Sequence, residues 1–231
     1  MIRLVVFDLD GTLIDSRKDL ADSTNALIAE LGGSPLREDD VAAMVGEGAR
    51  VLVRRALAAA GIDADETRAL ERFLELYSAR LLDSTVLYPG IAETIAQLSA
   101  RCPLAVLTNK PSEPSRRILD GLGVSKYFDE IVGGDSPFGR KPDPAGLLHL
   151  CDRAHAERPS TLLVGDSRID VDTARNAGTR MCLARYGFGY RESLASDNGI
   201  DRVIDSPSEL LEAIGKFNRS SGDQENNHDS S

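Results

Sequence analysis

The chain has 231 residues, of which 42% are hydrophobic and 28% charged, a composition that excludes fibrous classes and disorder of the whole chain. Lysine and arginine number 27 against 37 aspartates and glutamates, a net charge of −10, which argues against a nucleic-acid binder or a protein held on anionic membranes. The length suits one large domain, or one domain carrying an insertion.

At the start, Leu4, Val5, Val6 and Phe7 form an apolar run cut off by Asp8 and Asp10. It is too short for a signal peptide and suits a buried strand of a parallel sheet. Between 17 and 84 only helical patterns follow. Ser16 and Asp19 are placed to open a helix whose buried stripe would be Leu20, Thr24, Leu27, Ile28 and Leu31. Val53, Leu57 and Ala60 mark a later helix. Leu70, Phe73, Leu74, Tyr77 and Leu81 repeat at i, i+3, i+4, i+7 and i+11, the period of an amphipathic helix. The sheet is expected to resume near Tyr88-Pro89-Gly90.

Further apolar runs at 104–107, 131–132, 162–164, 181–184 and 203–204 alternate with helical patterns. One pattern runs through Ile118, Leu119 and Leu122, another through Leu147, Leu148 and Cys151. Ser206, Pro207 and Glu209 read as a capping box with proline at the first helical position. Residues 218–231 are polar and aperiodic and are expected to be disordered. The alternation implies an α/β fold: a doubly wound, mostly parallel, Rossmann-like sheet with an inserted α-helical domain. The expected boundaries are a discontinuous core at 1–16 and 85–217, and the helical insertion at 17–84. Cys102, Cys151 and Cys182 lie far apart and form no metal pattern, so a reducing cytoplasm is the expected compartment.

In a parallel α/β sheet, ligands collect outside the carboxyl ends of the strands. Four such ends carry polar groups suited to phosphate and metal chemistry. They are Asp8-Leu9-Asp10-Gly11-Thr12, then Thr108-Asn109-Lys110, then 140–144 with Lys141, then Gly165 to Asp170. Singly, each has an ordinary explanation. Asp10-Gly11 suits a turn, Thr108 a strand end, Lys141 a solvated charge and Asp166 a helix N-cap. An EF-hand loop fits worse, because Thr12 and Leu13 stand where an acid and a glycine are required. Jointly, carboxylates, a hydroxyl and a lysine converge on one rim from distant parts of the chain.

DLDGTLIDS at 8–16, LTNK at 107–110, RKPDP at 140–144 and GDSRID at 165–170 resemble the four motifs of the haloacid dehalogenase-like hydrolases. The likeness extends to about residue 217, and the helical insertion resembles the cap such proteins place between their first two motifs. The resemblance implies a catalytic set of Asp8, Asp10, Thr108 and Lys141. Asp8 would be the nucleophile that forms an aspartyl-phosphate, and Asp10 the acid and then the base. Thr108 and the amide of Asn109 would bind the phosphoryl group, and Lys141 would neutralise it. It also implies Mg²⁺ held by Asp8, the backbone carbonyl of Asp10 and Asp166, with Asp170 orienting a metal-bound water or Lys141. Dehalogenases of the family lack an acid at the position of Asp10, and ion pumps carry threonine there. Asp10 thus points to a phosphohydrolase or a phosphomutase.

VGEGARVLVRRAL at 45–57, with TNKP, IVGGD, KPDP, VGDSRID and YGFGY, resembles the bacterial phosphoglycolate phosphatases. That implies hydrolysis of 2-phosphoglycolate to glycolate and phosphate, with Asn109, Gly46, Glu47, Gly48 and Arg50 binding the substrate. Arg50, Arg54 or Lys110 would meet its carboxylate. Gly46-Glu47-Gly48 equally suits a plain helix–helix turn. The alternatives are a phosphatase for a sugar phosphate or pyrophosphate, then a phosphomutase, then a non-catalytic phosphate-binding module. The expected partner is a small phosphate ester, without nucleic acid or membrane, and the expected assembly is a monomer or homodimer.

Overall fold

The computed structural model describes residues 1–225, with side chains through 218. β1 (Leu4–Phe7) is buried on both faces, the environment its four apolar residues require. A tight turn leads into β2 (Ile14–Asp15) and then four helices, α1 (Arg17–Glu30), α2 (Glu38–Ala42), α3 (Ala49–Ala59) and α4 (Glu66–Ser78). β3 (Val86–Leu87) returns antiparallel to β2. The alternation continues through α5 (Ile91–Ser99), β4 (Leu104–Leu107), α6 (Ser112–Gly121), β5 (Glu130–Val132) and α7 (Ala145–Arg153). It ends with β6 (Thr161–Gly165), α8 (Arg168–Ala177), β7 (Arg180–Ala184), β8 (Arg202–Ile204) and α9 (Leu210–Glu225). Among the described residues, no helix is long and apolar enough to cross a membrane.

The main sheet has the order β5-β4-β1-β6-β7-β8, and all of its pairings are parallel. Successive residues of each strand serve opposite faces. Val5 and Phe7 join one core cluster with Ile95 of α5, Ile118 of α6 and Ile214 of α9. Leu4 and Val6 join the other with Leu147 of α7 and Val171 of α8. From β1 the chain moves outward to β4 and β5, then crosses back and moves the other way through β6, β7 and β8. The sheet's switch point therefore lies between β1 and β6, whose carboxyl ends are followed by Asp8 and Asp166.

Several local expectations are corrected. The main sheet does not resume at 88–90: the chain first forms the β2–β3 ribbon, and β4 is the next strand of the sheet. Leu31 is exposed, because α1 ends at Glu30 and Leu31 is its C-cap. Ala60 is likewise the C-cap of α3, and Leu81 is buried beyond the end of α4. Ser206 opens a short 3₁₀ turn rather than the helix itself, and Glu209 reaches back to the Asp205 amide and the Ser206 hydroxyl. α9 runs through the boundary at 217 to Glu225, and Asn218 Oδ1 accepts a hydrogen bond of 2.7 Å from the Ile2 amide. The expected boundary at 217 thus falls within α9, and 226–231, part of the segment expected to be disordered, lie outside the described residues.

Ser16 and Asp19 sit at the start of α1 as expected, but neither side chain caps it. Asp19 is buried, and its Oδ2 accepts from Ser84 N, Thr85 N and Thr85 Oγ1 at 3.1, 2.8 and 2.7 Å. The first turn of α1 thereby clasps the segment by which the chain leaves the helical layer. Asp19→Ala would strand those donors, two of them on a buried threonine, and is expected to lower unfolding free energy by roughly 2–3 kcal/mol. Urea denaturation measures it, and a loss under about 0.5 kcal/mol would show that the clasp is dispensable.

Candidate active site

The turn after β1 presents two carboxylates. The Asp8 amide donates to Val164 O at 2.9 Å, which ties the end of β1 to β6. The amides of Thr12, Leu13 and Ile14 all turn back to Leu9 O. Gly11 has φ +89°, and a Cβ there would stand 2.0 Å from Asp166 Oδ2, so only glycine fits. Ser16 Oγ and Lys110 Nζ each donate to Asp10 Oδ1 at 2.6 Å. Asp8 Oδ1 lies 2.8 Å from Lys141 Nζ. Each acid is therefore served by its own lysine, and both acids line one cavity.

β4 supplies Thr108, Asn109 and Lys110, all buried. Asn109 Nδ2 donates to Gly46 O at 2.9 Å and to Lys141 O at 3.0 Å, joining three distant segments. Lys110 Nζ also donates to the Tyr77 hydroxyl, 2.7 Å away on α4. Burial lowers the pKa of Lys110, but Asp10 and Tyr77 outweigh it and leave the pKa above the ordinary value. Burial likewise opposes, and Asp170 and Asp8 overcome, the charge on Lys141, so its pKa is also raised.

β6 and α8 supply the remaining acids. Asp170 Oδ1 accepts from Lys141 at 2.6 Å, and its Oδ2 accepts from Ser167 N and Oγ at 3.0 and 2.6 Å. The Ser167–Asp170 spacing is the sequence signature of a helix start, and here the same acid also anchors the lysine. Asp166 Oδ2 accepts from the Gly189 amide at 2.7 Å. A Cβ at Gly187 would lie 2.3 Å from Asp166 Cβ, so the 186–190 loop needs glycine to close over the acid.

Oxygens of Asp8, Asp166 and Asp170 come within 4.8 Å of one another, and all three residues are buried. Among the described ion pairs, Lys141 alone engages them, so three negative charges meet one positive. Burial pushes the Asp8 carboxyl up to about 7, although Lys141 pulls it down. Burial, then the charges of Asp170 and Asp8, hold Asp166 well above the ordinary carboxylate range. Hard oxygen donors with two charges uncompensated fit a divalent cation. Asp8 and Asp166 would hold it, since both oxygens of Asp170 are already engaged.

The cavity, of about 50 Å³, lies between the sheet's rim and the helical layer. Val45, Gly46, Gly48, Leu52, Phe73 and Tyr77 form its far wall. Gly48 is the N-cap of α3 with φ +90° and packs against Asn109 O. Glu47 and Arg50, expected to bind the substrate, are not among the residues that line this cavity. Glu47 is exposed and ion-paired to Arg55. Arg50 and Arg54 are both exposed, because α3 buries its Leu52, Val53, Ala56 and Leu57 face instead. Ser16 and Tyr77 contact the site although periodicity assigned them to a helix start and an apolar stripe. Ser16 closes the motif at 8–16, its only sequence signal for that contact, and Tyr77 had none.

The sequence model described as haloacid dehalogenase-like hydrolase matches residues 5–184. A phosphoglycolate phosphatase of Rhodospirillum rubrum is 42% identical over 232 residues, covering 97% of this chain and 95% of that protein. Phosphoglycolate phosphatase 1 of Pseudomonas aeruginosa is 41% identical over 218 residues, 90% of this chain and 78% of that protein. Among solved structures, a predicted phosphoglycolate phosphatase from Haemophilus somnus superposes with a TM-score of 0.87 at 32% identity, covering 92% of this chain and 98% of that one.

The raised carboxyls set a pH dependence. Asp8 and Asp166 bind protons more tightly in the folded than in the unfolded chain, so the metal-free protein loses stability as pH rises from about 4, the ordinary carboxylate value, through the folded value for Asp8 of about 7. A divalent cation competes with those protons. Adding Mg²⁺ to metal-stripped protein is expected to raise Tm more at about pH 8 than at about pH 5.5. Equal gains at both, read by scanning calorimetry, would place the cation elsewhere.

Proposed function

The chain belongs to the haloacid dehalogenase-like hydrolases and is a phosphatase, and from that premise we propose that it is a Mg²⁺-dependent enzyme hydrolysing 2-phosphoglycolate to glycolate and phosphate. The observation that carries the mechanism is the pair of carboxylates on one cavity, Asp8 bound by Lys141 and Asp10 bound by Lys110 and Ser16. Two acids with different partners suit two different tasks.

Asp8 attacks phosphorus, and the bond from phosphorus to the ester oxygen breaks. Asp10 gives its proton to that oxygen, and glycolate leaves. Asp10, now ionised, takes a proton from water, whose oxygen attacks the aspartyl-phosphate and restores Asp8. Lys141 holds Asp8 in place and offsets the charge that gathers on the phosphoryl oxygens, to which the Thr108 hydroxyl and the Asn109 amide donate. Asp170 positions Lys141. Asp8, the Asp10 carbonyl and Asp166 would hold Mg²⁺, which would supply charge neutralisation for an anionic nucleophile approaching an anionic ester. Helices α1 to α4 act as a cap over the core, excluding water through the wall of Val45, Leu52 and Phe73. The substrate reading is supported by the relatives' names. Three free cysteines and a net charge of −10 suit the cytoplasm, where we place it.

Asp8→Asn is expected to reduce kcat by at least about 1,000-fold with an unchanged circular dichroism spectrum. A tenth of wild-type turnover would exclude Asp8 as the nucleophile. Asp10→Asn is expected to cost about 100-fold or more in kcat. EDTA should abolish turnover and Mg²⁺ restore it, with Asp166→Ala raising the Mg²⁺ needed for half activity. The substrate is tested by kcat/KM over a panel of metabolite phosphates. A sugar phosphate or pyrophosphate surpassing 2-phosphoglycolate would replace the substrate and leave the chemistry.

A further inference from the structure

Lys110 is the one basic residue in the cavity wall among the described residues. Its ammonium lies 2.6 Å from Asp10 Oδ1 and 2.7 Å from the Tyr77 hydroxyl, and 4.8 Å over the Tyr77 ring centroid. An ammonium has three donors, so these two hydrogen bonds leave one. The Tyr77 hydroxyl accepts from Lys110 and keeps its own proton to donate. One N–H and one O–H therefore stand side by side at the cavity, a pair matched to the two oxygens of a carboxylate.

Beside that pair, the wall contributed by the helical layer carries no charged side chain. Leu20, Val45, Leu52, Phe73, Leu74 and Pro111 are apolar, and an anion leaving water against them needs a paired cation. Lys141 is already committed to Asp8 and Asp170. Lys110 also sits directly on Asp10, the group that serves the ester oxygen in the mechanism above. An anion bound by Lys110 is thus held within a few atoms of that oxygen.

Resting on the substrate reading above, we propose that Lys110 is the specificity-determining cation of this site. Oriented by Asp10 and Tyr77, it binds the carboxylate of the substrate and selects phosphate monoesters whose second anionic group is one carbon from the ester oxygen. Tyr77, from the helical layer, is the positioning residue and the second donor. The substrate's carboxylate then bridges core and cap, so the cap closes on substrates that carry one.

The test compares 2-phosphoglycolate with ethyl phosphate, in which a methyl group replaces the carboxylate. The readout is the ratio of their kcat/KM values. Lys110→Met is expected to lower both activities, because Asp10 loses its partner, and to lower the ratio by at least about tenfold through KM for 2-phosphoglycolate. Lys110→Arg should recover part of the ratio, and Tyr77→Phe should lower it about threefold. A ratio within twofold of wild type in Lys110→Met overturns the proposal. If that variant does not fold, an unchanged ratio in Tyr77→Phe overturns it instead. A wild-type enzyme that does not prefer 2-phosphoglycolate overturns the substrate reading first, and this proposal with it.

Discussion

Asp8, Asp166 and Asp170 bring three carboxylates within 4.8 Å of one another in a buried region, and much of the surrounding structure answers that electrostatic cost. Lys141 reaches them from the loop ahead of α7 and bonds two of the three. Asp170 spends its second oxygen on Ser167 at the start of α8, so the helix register and the lysine position are set by one residue. Asp166 is packed so closely that a Cβ at Gly11 or at Gly187 would collide with it. Gly165 is held to glycine by Asp170 in the same way, since a Cβ there would lie 2.3 Å from Asp170 Cγ. Glycines from three parts of the chain are thus explained by two aspartates.

The second carboxylate system is built differently. Asp10 faces the helical layer through Lys110 and Tyr77, and Asn109 fastens that layer to the core through Gly46 O. Apolar side chains from α1, α3 and α4 fill the remaining wall. Excluding water there strengthens each polar contact that remains. A charged rim meets an apolar helical layer at this cavity, and Asn109 and Lys110 hydrogen-bond across it to Gly46 and Tyr77.

The sheet was legible because strands buried on both faces must be apolar throughout, and the five later runs are interrupted only by turns and helices. The motif residues were legible because they follow those runs. Spacing was less informative about individual partners. Ser16 and Asp19 have the spacing of a helix start, yet Ser16 bonds Asp10 and Asp19 holds Thr85. A short polar side chain satisfies a cap or a distant partner equally well, and spacing does not distinguish them. Arg50 and Arg54 looked suited to an anion by type, and the orientation of α3 turned both to solvent.

The sequence by itself determined the element order, the layer class and the set of groups at the strand ends, because these depend on local periodicity and on the rule that strand ends form the ligand rim. Only the tertiary structure decided which lysine serves which acid, Lys141 for Asp8 and Lys110 for Asp10, and which of the cationic side chains enters the cavity. Those outcomes depend on strand order and on the angle of the helical layer, and both come from packing between residues distant in the chain, as Lys110 and Asp10, 100 positions apart, are. Hydrophobic periodicity records which face of an element is buried. It carries no record of what that face is buried against.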